Sequence, residues 1–133
     1  MTTLRVTNAR NGAVLADRAG IANTSAKRRA GLLQRTSLEA GEGLWIVPTE
    51  GVHTVGMKFA IDLVFMNRAR TVVKVCSRVP KWRLALCLSA HSVLELPAGV
   101  IDSTQTMIGD QLVLDKRQIG ETNPAREAEL TLS

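Results

Sequence analysis

The feature that most constrains this chain is how often it is interrupted. Turn-forming residues recur at close intervals: Asn11-Gly12, Gly41-Glu42-Gly43, Pro48, the stretch Gly51 to Gly56, Asn67 to Arg70, Pro80, Pro97-Ala98-Gly99 and Gly109-Asp110. The apolar runs between them are short and alternate with polar residues, which is strand periodicity rather than helical periodicity. Strands are expected near residues 3–9, 13–17, 44–47, 61–65, 71–75, 83–88, 93–96 and 112–114. Asn11-Gly12 between two such runs predicts a tight two-residue hairpin with both central residues at positive φ. Only the stretch from Ser25 to Arg35 changes period: Ser25 can cap it, Ala26, Ala30 and Leu33 recur at helical spacing, and Lys27, Arg28, Arg29 and Arg35 form a basic outer face. That face could grip a phosphate or simply be solvated. One or two helical turns also fit residues 98–105. The pattern predicts a mainly β (α+β) fold: a small closed or half-closed β-barrel of about seven or eight short strands with one amphipathic helix. Too few helices are present for the crossovers of a doubly wound parallel sheet.

At 133 residues, the chain fits a single β-rich domain over 1–119 and a polar, frayed C-terminal tail over 120–133. A hydrophobic content of 45% excludes wholesale disorder. No apolar run approaches the length of a membrane span, and the N-terminus, Met1 to Val6, lacks an apolar signal core, so a cytoplasmic location is expected. The net charge of +5 suits an acidic protein or an anionic ligand as partner. Nucleic acid is an unlikely one, because Trp45, Phe59, Phe65 and Trp82 are the only aromatic residues and bases need stacking platforms. Cys76 and Cys87 read as reduced thiols; with His53 and His91 far apart in sequence, neither a metal nor a cofactor is expected.

Two carboxylates stand out because apolar neighbours flank them. Asp62 lies between Ile61 and Leu63, and Glu95 between Leu94 and Leu96. A carboxylate so placed must be paired, richly hydrogen-bonded or protonated. Asp62 is either the polar floor of a pocket or an acceptor for backbone N–H groups of a loop such as 53–58. If strand 93–96 pairs beside strand 61–65, Asp62 and Glu95 could share a dry site and drive one pKa upward, as acid–base pairs do; Lys58 or Arg35 could instead neutralise them. His53, in a glycine-flanked loop, could orient a ligand or relay a proton.

Three segments resemble one family. Gly31-Leu32-Leu33-Gln34-Arg35 followed by Gly41-Glu42-Gly43-Leu44-Trp45, then His53 to Phe65 with its Met57-Lys58 pair and Ile61-Asp62, then Leu94-Glu95-Leu96-Pro97-Ala98-Gly99 with Gly109-Asp110, are similar in order and type to the domain of unknown function 192 family. Leu33-Gln34 and Ala60 depart from its usual residues. The resemblance implies a compact β-rich fold and no established activity. Carried onto this chain, it marks Arg35, His53, Met57, Lys58, Asp62, Glu95 and Asp110 as a candidate binding set.

Arg68, Arg70, Lys74, Arg78, Lys81 and Arg83 cluster with Trp82 across two expected hairpin tips. Such a patch can recognise acidic lipid head groups, nucleic acid or a protein, or it can protect a sheet edge against aggregation. No Gly-x-Ser-x-Gly elbow or phosphate-binding loop is present. A binding or interaction module is therefore the first functional reading. A small hydrolase or carbohydrate-active enzyme using Asp62, Glu95 and His53 is the second, and weak nucleic-acid binding through the basic face the third.

Overall fold

A computed structural model of the chain describes residues 2–32, 35–54 and 57–118. The tail expected at 120–133, the proposed helical positions Leu33-Gln34, and Val55-Gly56 lie outside the described residues. The fold is mainly β, with nine strands and two short helices among the described residues. In chain order these are β1 (Thr2–Asn8), β2 (Val14–Ala22), α1 (Ser25–Ala30), β3 (Glu42–Ile46), β4 (Gly51–His53), β5 (Ile61–Met66), β6 (Val72–Val79), β7 (Leu84–Leu86), β8 (Ser92–Pro97), α2 (Val100–Thr104) and β9 (Leu112–Gln118).

Seven strands form one sheet in the order β6-β5-β8-β3-β2-β1-β9, and β4 pairs with β7 in a separate ribbon. The sheet is not closed into a barrel. Its edge strands β6 and β9 are joined beside their first residues by the single bridge Thr71–Gln111, among the described residues. One core nevertheless unites Leu4, Leu15 and Leu112 from one end of the sheet with Val64, Val72 and Leu96 from the other, so the sheet curls around it. A second core, with Ile61, Leu63, Phe65 and Val93, lies on the outer face of β5 and β8 beneath the β4–β7 ribbon and the residues after α1. Because both faces of β5 are covered, all six of its residues are buried.

The first hairpin differs from the expected two-residue turn. Asn8 N–H donates to Ala13 O and Gly12 N–H to Asn8 O, and of Asn11 and Gly12 only the glycine has positive φ. The asparagine side chains explain the longer loop. Asn8 Oδ1 accepts from Arg10 N and Asn11 Oδ1 from Ala13 N, while Asn11 Nδ2 donates to Thr104 O. Such Asx contacts stabilise a wider turn in place of the tight one. β2 and β3 are parallel, with α1 in the crossover, a connection the turn pattern alone did not predict. Gly51 to His53, expected as loop, forms β4; three residues are too few to display a period.

Asp62 ties three elements together. Between the pairs Ile61–Val79 and Leu63–Cys76 the register of β6 slips, and Arg78 takes φ 52°. The Arg78 N–H freed by this bulge donates to Asp62 Oδ1 at 2.7 Å. Asp62 Oδ2 accepts from Gly99 N at 3.1 Å and from Ile101 N at 2.8 Å, at the start of α2. Gly99 has φ 100°, a conformation side-chain-bearing residues rarely adopt, and this aims its amide at the carboxylate. The carboxylate itself is fully buried. Removing it in Asp62→Ala orphans three N–H groups. The expected cost is about 3–5 kcal/mol, read as a lower urea midpoint, since each buried unsatisfied donor costs roughly 1–3 kcal/mol; a loss under about 1 kcal/mol would show that the carboxylate does not hold the bulge.

Candidate functional site

β5 and β8 pair antiparallel, with Leu63 opposite Glu95 and Asp62 opposite Leu96. Residues opposite one another in an antiparallel pair share a face, and neighbours along a strand do not. Glu95 therefore lies on the Leu63 face, with the second core, and Asp62 on the Leu96 face, with the first. The strands do pair side by side, as the sequence suggested, yet the register puts the two carboxylates on opposite sides of the sheet. A shared Asp62–Glu95 acid–base site does not exist. The backbone-acceptor role for Asp62 is the one the geometry supports, served by residues 78, 99 and 101 rather than by loop 53–58.

Glu95 faces a cavity of about 380 Å³ between α1 and the ribbon. Leu32, Ile46, Val52 and Met57 supply apolar wall, and Arg28, Arg29 and His53 also line it. The α1 helix is positioned by Thr24, whose hydroxyl accepts from Lys27 N at 3.2 Å, and by Gly31, which ends it at φ 49°. A Cβ at Gly31 would stand 3.9 Å from Glu95 Oε1, so the glycine lies directly over the carboxyl group. The other wall is β4, which among the described residues pairs with β7 alone. Gly43 lets β3 come close to β8 beside this site: a Cβ there would meet Glu95 O at 3.0 Å.

Glu95 is 3% exposed, and no hydrogen bond reaches its carboxyl among the described residues. Burial raises its pKa to about 7. Arg28 does not neutralise it: that guanidinium reaches Val47 O and Ser25 Oγ, each at 3.4 Å. The floor of the cavity is thus a carboxyl group that changes charge near neutral pH without a partner from the described chain.

The remaining expected binding residues are dispersed. His53 and Met57 line the cavity with Glu95. Arg35 is not there; it pairs with Glu42 at 2.8 Å on an exposed edge. Lys58 is exposed and outside the cavity lining, so neither cation neutralises the carboxylates. Asp110 belongs to a structural network, accepting from Arg10 Nε at 2.7 Å, Asn8 Nδ2 at 2.7 Å and Met107 N at 2.9 Å. The Arg10 guanidinium first, and then the two N–H donors, hold its pKa down at about 2. The sequence offered no signal for Ile46 or Gly31 as cavity residues, because an apolar wall and a helix stop look the same beside any core.

The basic set does not form one patch. Arg68 and Arg70 precede β6, while Arg78, Lys81, Trp82 and Arg83 lie at or beyond its other end, roughly 25 Å away for a strand of this length. Arg70 sits 5.4 Å above the Trp45 ring, and Lys74 Nζ donates to Leu86 O at 2.7 Å. Arg68 lines a separate open cleft with Ser89 and His91. Cys76 and Cys87 are both free and half-buried against the second core, and burial raises the Cys76 pKa.

Comparison with known proteins now decides the family. The family model DUF192, described as uncharacterized ACR, matches residues 6–114. The chain belongs to this family. A UPF0127 protein of Thermococcus sibiricus is 32% identical over 111 residues, covering 79% of this chain and 71% of that relative. A structure of a protein of unknown function from Novosphingobium aromaticivorans superposes with a TM-score of 0.73 at 22% identity, over 84% of this chain and 83% of the other. Another, from Sinorhizobium meliloti and provisionally named a transcription regulator, gives a TM-score of 0.75 at 18% identity, over 86% of this chain and 94% of the other. These likenesses establish the fold. No activity is established for the family or for the first of these structures.

The raised Glu95 pKa makes stability depend on pH. Between the ordinary value of 4.5 and about 7 the folded chain holds a proton that the unfolded chain has released, so stability falls as pH rises through that window. Glu95→Gln removes this dependence. Urea unfolding across the window should show the variant gaining on the wild type with rising pH, by up to roughly 3 kcal/mol at the upper end. Parallel profiles for the two proteins would contradict the assignment.

Proposed function

We propose that the chain is a small-molecule binding module whose ligand enters the cavity between α1 and β4 and donates hydrogen bonds to Glu95. The observation that carries this reading is the carboxyl group at the cavity floor, buried and without a partner among the described residues. A buried acceptor of this kind is costly to a fold and is commonly retained where a ligand completes it. The volume suits a ligand at the small end of the usual range. Apolar walls leave orientation to Glu95, the arginines of α1, His53 and the edge of β4 left unpaired among the described residues. A hydroxyl-rich or amino-bearing compound fits this set, and one that also carries an anionic group would engage Arg29, which is exposed at the mouth.

A second reading, general acid–base chemistry, draws support from Glu95 titrating near neutrality in the same cavity as His53. It no longer involves Asp62. Both readings share one experiment. A library of polyols, amino sugars and amino acids, screened by ligand-observed NMR at pH values below and above 7, should yield binders that Glu95→Gln weakens by roughly tenfold or more, the worth of one charge-assisted hydrogen bond. Turnover of a binder would favour the enzymatic reading. Binders unaffected by Glu95→Gln, or none at all, would refute the site.

A further inference from the structure

The β4–β7 ribbon is built inside out. Its inward residues, Val52, Ala85 and Cys87, pack against the second core, and two of them are small. The larger residues of the same segment point outward: Trp82 and Leu84 are each 67% exposed, Leu86 52% and Leu88 82%. Burial alone would select the reverse, with leucine inside and alanine outside. The row is not a loose loop. Thr54 clamps its start, with Thr54 N donating to Arg83 O and Arg83 N to Thr54 Oγ1, each at 2.7 Å, and the Thr54 hydroxyl donating to Pro80 O at 2.7 Å. Cys87 N donates to Glu50 O, and the Lys74 ammonium donates to Leu86 O. On the outward face Leu86 lies opposite Gly51 and Leu84 opposite His53, so the partner strand presents little bulk beside the leucines.

Charge says what covers this face. From Asn67 to Leu94 the sequence holds no Asp or Glu, and of its six cations Lys81 and Arg83 are the two that flank Trp82. Lys81 and Arg83 alternate directly with Trp82 and Leu84, and all four are exposed. A second copy docking isologously would bring these cations against their own images. Interface cores between proteins are depleted in lysine. A bilayer boundary has the opposite demand: indole and leucine enter the acyl region while Lys and Arg stems lie along it and their heads stay at the phosphates.

We propose that the Trp82-Leu84-Leu86-Leu88 face docks on the surface of an anionic lipid bilayer as a peripheral anchor, with Lys81 and Arg83 engaging the head groups. No helix among the described residues is long and apolar enough to cross a membrane, and surface docking requires none. This proposal does not rest on the cavity reading, although His53, opposite Leu84 in the ribbon, also lines that cavity.

The experiment is co-sedimentation of the full chain with phosphatidylcholine vesicles and with phosphatidylcholine–phosphatidylglycerol vesicles, with tryptophan emission followed in a Trp45→Phe background. The expected result is binding to the anionic vesicles, with a blue shift of Trp82 emission. L84S/L86S/L88S should abolish the binding, and K81Q/R83Q should weaken it by roughly thirtyfold. The five residues changed on this face are exposed, so folding is expected to persist, and circular dichroism of each variant and of the Trp45→Phe background, whose site is half-buried, checks it. Equal binding by the triple serine variant would mean charge attraction alone and would overturn the anchor. Absence of binding to anionic vesicles would overturn it too, as would self-association in solution that the triple variant abolishes and vesicles do not displace.

Discussion

The structure depends on one carboxylate that has no water to turn to. Asp62, the second residue of a strand covered on both faces, accepts N–H groups from the β6 bulge and from the start of α2. Without such an acceptor, neither the bulge at Arg78 nor the left-handed Gly99 turn would have a place for its amide. With it, β6 bends, α2 places Ile101 in the first core, and the curl of the sheet follows. A single buried carboxyl group thereby ties together the side of the sheet away from the cavity.

Glu95 shows how different the same residue class becomes one strand over. Asp62 has three donors, whereas Glu95 faces a cavity with none from the described chain, and its charged form is correspondingly disfavoured. The alternation of strand faces separates the two carboxylates completely, even though they stand on adjacent strands at neighbouring register positions. A register shift of one residue would have put them together. Which of the two carboxyl groups faces the cavity therefore turns on strand register.

The ribbon repeats that lesson at the surface. Leu84, Leu86 and Leu88 read from the sequence as the apolar face of a strand, and they are. Their periodicity says that they share a face, but it carries no sign for inward or outward. Ala85 and Cys87 pack against the second core, and the larger side chains of the segment lie outside.

What the sequence determined by itself was local. The turn residues and the short apolar runs between them specified β1, β5, β6 and β8, and the change of period specified α1, because these signals act between residues a few positions apart. The ordered motifs His53 to Phe65 and Leu94 to Gly99 identified the family. Tertiary structure alone decided which strands are neighbours, that β2 and β3 run parallel, that the sheet curls without closing, and on which face each buried carboxylate lies. Those outcomes depend on contacts between segments far apart in the chain. Apolar residues on both sides of β5 and β8 erase the alternation from which a face could have been read.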